Sequence, residues 1–207
     1  TLTNGYYYKI GDIDNDGLVD VVVIESYPYP ENVYVYKNQG TSFSLMANQR
    51  VGTPPAAHLL ADLNNDGFLD IATANANGKD FSVVFNNGDG TLAEMANYPV
   101  ANELVSPNEI FAEDLNGDGY KDIVIGELYY CETSVHFNKG DGTFTQGTYY
   151  STGEESEDTF FFDVADVNND TYLDIISSDD SNINILLNQG DSTFSPYISY
   201  GNGGEDT

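Results

Sequence analysis

A nine-residue pattern recurs four times along this chain. Asp12–Asp20 reads DIDNDGLVD, Asp62–Asp70 reads DLNNDGFLD, Asp114–Asp122 reads DLNGDGYKD and Asp166–Asp174 reads DVNNDTYLD. Their first residues stand 50, 52 and 52 positions apart. A second motif keeps step with the first: Asn38-Gln-Gly40, Asn86-Asn-Gly88, Asn138-Lys-Gly140 and Asn188-Gln-Gly190. Three of these run on as Gly-Asp-(Gly/Ser)-Thr, whereas Gly40-Thr-Ser-Phe43 is one residue shorter. Two motifs in one register at a fixed period mark a supersecondary unit that is repeated along the chain.

The stretches between the motifs are strand-like. Each Asp-rich loop follows an apolar run, such as Tyr6–Ile10 or Phe160–Ala165, and leads into another, such as Asp20–Ile24 or Asp122–Ile125. A third run ends at the Asn-x-Gly turn, as in Phe81–Phe85. A fourth is expected to start at Phe43, Leu92, Phe144 and Phe194. The aromatic content, 16 Tyr and 11 Phe without Trp, favours strands, and no segment carries helical periodicity. Four antiparallel strands every ~50 residues predict an all-β fold of β-propeller blades. Solenoid repeats are shorter, and a sandwich does not repeat its turns. The expected blades are residues 1–50, 51–102, 103–154 and 155–207, within one propeller or propeller segment.

The Asp-rich loop has the composition of a hard-cation site. Calcium takes six to eight oxygens, many of them from carboxylates. Asp or Asn at positions 1, 3, 5 and 9, with the carbonyl at position 7, would supply them. The candidate ligands are Asp12, Asp14, Asp16, Leu18 (by its carbonyl) and Asp20 in the first loop; Asp62, Asn64, Asp66, Phe68 and Asp70 in the second; Asp114, Asn116, Asp118, Tyr120 and Asp122 in the third; and Asp166, Asn168, Asp170, Tyr172 and Asp174 in the fourth. Carboxylates crowded into a short loop without a cation repel one another, so Ca2+, up to four ions, is favoured over a simple Asx-rich turn. Mg2+ is disfavoured because it demands a tighter octahedron. An EF-hand needs Glu at position 12 and flanking helices, whereas position 9 here opens a strand.

The loop between two strands, together with the Asn-x-Gly-Asp-Gly-Thr turn, resembles the FG-GAP/VCBS repeat, the blade of integrin α-subunit heads and of many microbial surface proteins. The resemblance runs over essentially the whole chain. It implies a Ca2+ in the loop between the first two strands of each blade, and a secreted or cell-surface protein. One departure stands out: Thr171 replaces the loop glycine. A β-branched residue resists positive φ, so the fourth site is expected to be the weakest. The same substitution makes Asn169-Asp-Thr171 the one N-x-S/T sequon, with Asn169 as its candidate glycosylation site.

The chain carries 34 acidic and 6 basic residues, net −28. That charge excludes nucleic acid and anionic membrane surfaces as partners, and four Ca2+ would reduce it only to −20. No stretch has the ~20 apolar residues of a membrane span. Cys131 is the single cysteine, so a disulfide could form only between chains.

The loops and Gly-Asp-Gly turns lie at one end of an up-and-down blade. A protein or glycan ligand is therefore expected at the opposite end, where Tyr27, Tyr29, Tyr129 and Tyr130 are candidate stacking residues. No hydrolase, metalloprotease or phosphate-loop motif is present. Glu25, Glu127 and Asp179 recur five residues after a closing Asp, with Asn75 in the second repeat; a carboxylate pair among them is the one route to glycan chemistry. The expected function is thus an extracellular recognition or adhesion module. A structural subunit of an extracellular assembly, self-associating through blade edges, is the second reading, and a glycan-active enzyme the third. Tyr200–Thr207 resembles Tyr150–Thr159, which leads into a fourth-blade strand. A piece of a larger propeller, a closed four-bladed ring and an assembling subunit all fit that pattern.

Overall fold

The computed structural model describes residues 6–25, 32–52, 55–100, 106–127, 131–153, 161–179 and 181–201. They form four four-stranded antiparallel sheets, with no helix among them. Blade 1 is β1 (Tyr6–Gly11), β2 (Asp20–Glu25), β3 (Asn32–Asn38) and β4 (Phe43–Arg50). Blade 2 is β5 (Pro55–Ala61), β6 (Asp70–Asn75), β7 (Asp80–Val84) and β8 (Ala96–Pro99). Blade 3 is β9 (Pro107–Glu113), β10 (Asp122–Glu127), β11 (Glu132–His136) and β12 (Thr148–Ser151). Blade 4 is β13 (Phe161–Ala165), β14 (Asp174–Ser178), β15 (Asn182–Leu186) and β16 (Ile198–Gly201). Each sheet runs in chain order, so these are the blades of a β-propeller. The first strands form the inner line, with β5 packed against both β1 and β9, and β9 against β13.

Period-2 alternation decides which face meets which neighbour. Val22 and Ile24, at even offsets from Asp20, pack with Ile71 and Val84 of blade 2. Ala72 and Ala74 meet Ile123 and Ile125 of blade 3 in the same way, and Val124 meets Ile175 and Leu186 of blade 4. Both faces of β6 and β10 are therefore buried along their whole length, which is why these second strands read as near-continuous apolar runs. Each fully buried Val, Ile or Phe contributes roughly 1.5–3 kcal/mol. The joint between blades 2 and 3 is the most aromatic. Phe81 stacks on Tyr98 with centroids 5.0 Å apart and meets His136 and Phe144 edge-on at 4.8 and 5.6 Å.

The fourth strand departs from expectation in three blades. β4 starts at Phe43, but Leu92, Phe144 and Phe194 make only isolated bridges, to Asn86, Asn138 and Asn188. The ladder resumes at Ala96, Thr148 and Ile198. The extra residue of the longer turn throws the chain out of register. In blades 3 and 4 a hydroxyl then takes the ladder position: Thr145 Oγ1 accepts from Phe137 N (2.9 Å) and Ser195 Oγ from Leu187 N (3.0 Å).

Candidate functional site: the aspartate loops

The four loops lie between the first and second strands of their blades, at one end of the molecule. Their closing aspartates, Asp20, Asp70, Asp122 and Asp174, are fully buried. One carboxylate oxygen of each accepts the N–H of loop position 2: Ile13, Leu63, Leu115 and Val167, at 2.9–3.0 Å. The other accepts the N–H of the turn asparagine: Asn38, Asn86, Asn138 and Asn188, at 2.7–2.9 Å. The closing aspartate thus ties loop, second strand and third strand together. Burial pushes the carboxyl of Asp70 up to about 7 and that of Asp122 to about 6, against the backbone donors that lower them.

Position 1 wraps the loop. Asp12 accepts from the N–H groups of Asp16 (3.1 Å) and Gly17 (2.8 Å), and Asp62, Asp114 and Asp166 repeat the pattern. Position 5 accepts from the N–H of position 7, at 2.9 Å in every loop. Position 6 needs positive φ, and Gly17, Gly67 and Gly119 supply it at 87°, 90° and 89°. Thr171 adopts φ 80°, and its N–H still donates to Asp166 at 2.9 Å. The fourth loop therefore keeps the shared fold and carries the strain. Asn169 is exposed at its tip.

Positions 1, 3, 5 and 9 carry only oxygen-bearing Asp or Asn side chains, a donor set whose chemistry fits calcium. In the first loop Asp12, Asp14 and Asp20 each offer an oxygen, all within 4.8 Å of one another. Asp14 Oδ1 is buried without a hydrogen-bond partner. The aspartates of the Gly-Asp-(Gly/Ser)-Thr turns differ. Asp89, Asp141 and Asp191 each accept a threonine N–H and hydroxyl within their own turn.

The turn asparagines do more than turn the chain. Asn86, Asn138 and Asn188 are buried, and each Nδ2 crosses to the preceding blade, donating to the carbonyls of Ile13 (2.8 Å), Leu63 (2.7 Å) and Leu115 (2.8 Å). The loop tips are also linked: Asn15 Nδ2 donates to the Gly67 carbonyl and Asn65 Nδ2 to that of Gly119, both at 2.9 Å. Only the strict recurrence of Asn pointed to these contacts in the sequence, because the partners lie 52 to 75 residues away.

At the opposite end, Tyr27, Tyr29, Tyr129 and Tyr130 lie outside the described residues. Glu25 accepts from Tyr34 (3.1 Å), Asn75 donates to Asp80 and Ser82 (2.7 Å each), Glu127 accepts the Ser106 N–H (2.5 Å) and Asp179 accepts the Asn182 N–H (2.7 Å). Each closes its own blade end. Burial raises the Glu127 carboxyl to about 8. Cys131 is buried, which runs against a disulfide between chains. An open groove of about 1060 Å3 runs along β1, β5 and β9, lined by Tyr7, Lys9, His58 and Glu109 among others. Burial, with Lys9 nearby, pushes His58 down to about 4. No helix of the described residues is long and apolar enough to cross a membrane.

Integrin alpha-7 of Mus musculus is 28% identical over 149 residues, covering 61% of this chain and 12% of the integrin. Integrin alpha-7 of Homo sapiens is 29% identical over 157 residues, covering 66% and 13%. The chain thus spans only a small part of these relatives. Among solved structures, an Agrocybe aegerita lectin described as recognising non-reducing terminal N-acetylglucosamine superposes with a TM-score of 0.45 at 20% identity, over 96% of this chain and 66% of the lectin. The V. cholerae biofilm matrix protein Bap1 gives 0.37 at 16%, over 94% and 39%. Both scores are too low to bear on what this chain binds. The FG-GAP-like repeat model matches residues 12–73, 62–125 and 114–177, registers that begin at the first three aspartate loops and together take in all four. The chain belongs to the FG-GAP-like repeat family.

Proposed function

We propose that this chain is a calcium-stabilised propeller segment that works outside the cell as a recognition module, taking a protein or glycan ligand at the end opposite the loops. The observation that carries the calcium reading is the recurrence of one oxygen-lined loop in every blade, with the clustered oxygens of Asp12, Asp14 and Asp20 as its densest case. Positions 1, 3, 5 and 9 and the position-7 carbonyl would hold the ion in each loop, the fourth least tightly. Family membership and the integrin relatives support an extracellular recognition role. Titration calorimetry with CaCl2 on chelator-stripped protein should give three or four bound ions, with a higher melting temperature at millimolar calcium. An absence of binding at millimolar calcium would overturn the metal reading. A glycan array and capture of surface proteins would then separate the two ligand classes.

One observation favours a second reading, a structural subunit assembling head to tail. The face of blade 1 that carries Tyr8, Ile10 and Leu45 is 70%, 62% and 54% exposed, and the face of blade 4 that carries Ile183, Ile198 and Tyr200 is 51%, 44% and 54% exposed. By offset from the closing aspartates these are the leading and trailing faces that meet at every internal joint. Asn38 is the turn asparagine of blade 1, and the Val167 carbonyl holds the position its counterparts reach for. Native mass that grows with concentration, and collapses to 22.6 kDa in Ile198→Lys, would support assembly. A concentration-independent single-chain mass would exclude it.

A further inference from the structure

The first loop differs from the others in two linked ways. It has Asp14 where the others have Asn64, Asn116 and Asn168, and blade 1 has Lys37 where the others have Phe85, Phe137 and Leu187, immediately before the turn asparagine. In loops 2–4 the position-3 amide donates to the outer oxygen of the position-5 aspartate, at 3.0, 3.0 and 2.8 Å. Asp14 has no side-chain amide to donate. The Lys37 ammonium fills that role, donating to Asp16 Oδ2 at 2.7 Å and also to Asp14 Oδ2. Four loop carboxylates offset by one ammonium leave the same net charge as the three carboxylates of each other loop.

We propose that Lys37 is a tethered cation for the first loop: it holds Asp14 and Asp16 together in the calcium-free protein and has to withdraw when calcium enters. This inference rests on the calcium reading above. A flexible four-carbon stem allows the withdrawal, and a tether gives the ammonium a high effective concentration against free calcium. An ammonium left in place would repel the ion at short range. Loop 1 therefore binds calcium more weakly than loops 2 and 3 although it carries the most carboxylates.

The test is Lys37→Leu, which installs the residue of blade 4. Calcium alone is titrated calorimetrically, and melting is followed in chelator and in calcium. The wild-type chain should show one site that tightens roughly tenfold in the variant, within the usual range of coupling between two ligands. The variant should melt below wild type in chelator and at or above it in calcium. Equal affinities with an unchanged order of melting temperatures would overturn the proposal while leaving the calcium reading intact. No calcium binding by either protein would remove both. Should Lys37→Leu fail to fold, Asp14→Asn with Lys37→Leu rebuilds the donor set of loops 2 and 3. In that variant the first loop should bind at their affinity, leaving the fourth loop as the one weak site, and two weak sites persisting in it would overturn the proposal.

Discussion

The two ends of each blade follow different rules. At the loop end the closing aspartates make the same two bonds to backbone N–H in all four blades, and the turn asparagines cross to the preceding blade at all three joints. At the other end the structurally corresponding residues are Glu25, Asn75, Glu127 and Asp179, each with a different partner. Where the backbone geometry is identical, one side chain solves it four times. Where connection lengths differ, each blade finds its own solution. The variable end is thus free to diversify, while the loop end carries the fold.

The sharpest way to break that contrast is within a single loop. Asp122→Ala strands two buried N–H groups, of Leu115 and Asn138, and should cost about 4 kcal/mol in chelator at about 1–3 kcal/mol for each. Asp118→Ala, on the exposed rim, should cost less than about 1 kcal/mol there and lose the share of calcium stabilisation that the third loop supplies. Urea unfolding with and without calcium reads both, and equal losses in chelator would dissolve the distinction between the closing aspartate, which also holds two buried backbone N–H groups, and the rim aspartate, which does not.

Glu127 tests the variable end. Its folded-state carboxyl is raised to about 8 from 4.5 because it is buried. The folded protein therefore holds this proton more tightly than the unfolded chain. The resulting stability is fully present below about pH 4 and is lost as pH rises to about 8. Against Glu127→Gln, which carries no such proton, wild type should lose roughly 5 kcal/mol of relative stability over that window. Parallel stability–pH curves would show that the site is solvated. His58 and His136, both pushed down to about 4 by burial, act oppositely below about pH 6.5 in both proteins and cancel from the comparison.

Asn138→Ala removes three bonds, from Nδ2 to the Leu63 and Lys121 carbonyls and from the Gly140 N–H to Oδ1, and should cost about 3 kcal/mol. Asn38→Ala removes two, from Nδ2 to the Val19 carbonyl and from the Gly40 N–H to Oδ1, and should cost about 2 kcal/mol. Equal costs would mean that the cross-blade bond adds nothing. The smallest effect belongs to Thr171→Gly. Relief of positive-φ strain, less the entropy of glycine, should stabilise the chain by roughly 0.5 kcal/mol and bring the fourth loop's calcium affinity toward that of the second and third.

Much of this was legible in advance because it is local. Nine consecutive residues make each loop, and a short-range turn makes each hairpin, so period and composition exposed the blade, its strand order and the candidate ligands. The late start of the fourth strand in blades 2–4 was not legible, because the longer turn shows in the sequence but its effect on strand pairing does not. The closing aspartates were read as ligands alone, and their two backbone partners appeared only with the fold. The placing of Lys37 between Asp14 and Asp16 was equally hidden, since 21 and 23 residues separate the groups.

By itself the sequence determined that this chain is built of FG-GAP-like blades with an oxygen-rich loop in each, because those features repeat at fixed spacing and depend on neighbours along the chain. Only the tertiary structure decided which face of each blade meets the next, which asparagines join blades and which cation already sits among the first loop's carboxylates. Those contacts join residues brought together by sheet pairing and blade packing, and their geometry has no counterpart in sequence distance.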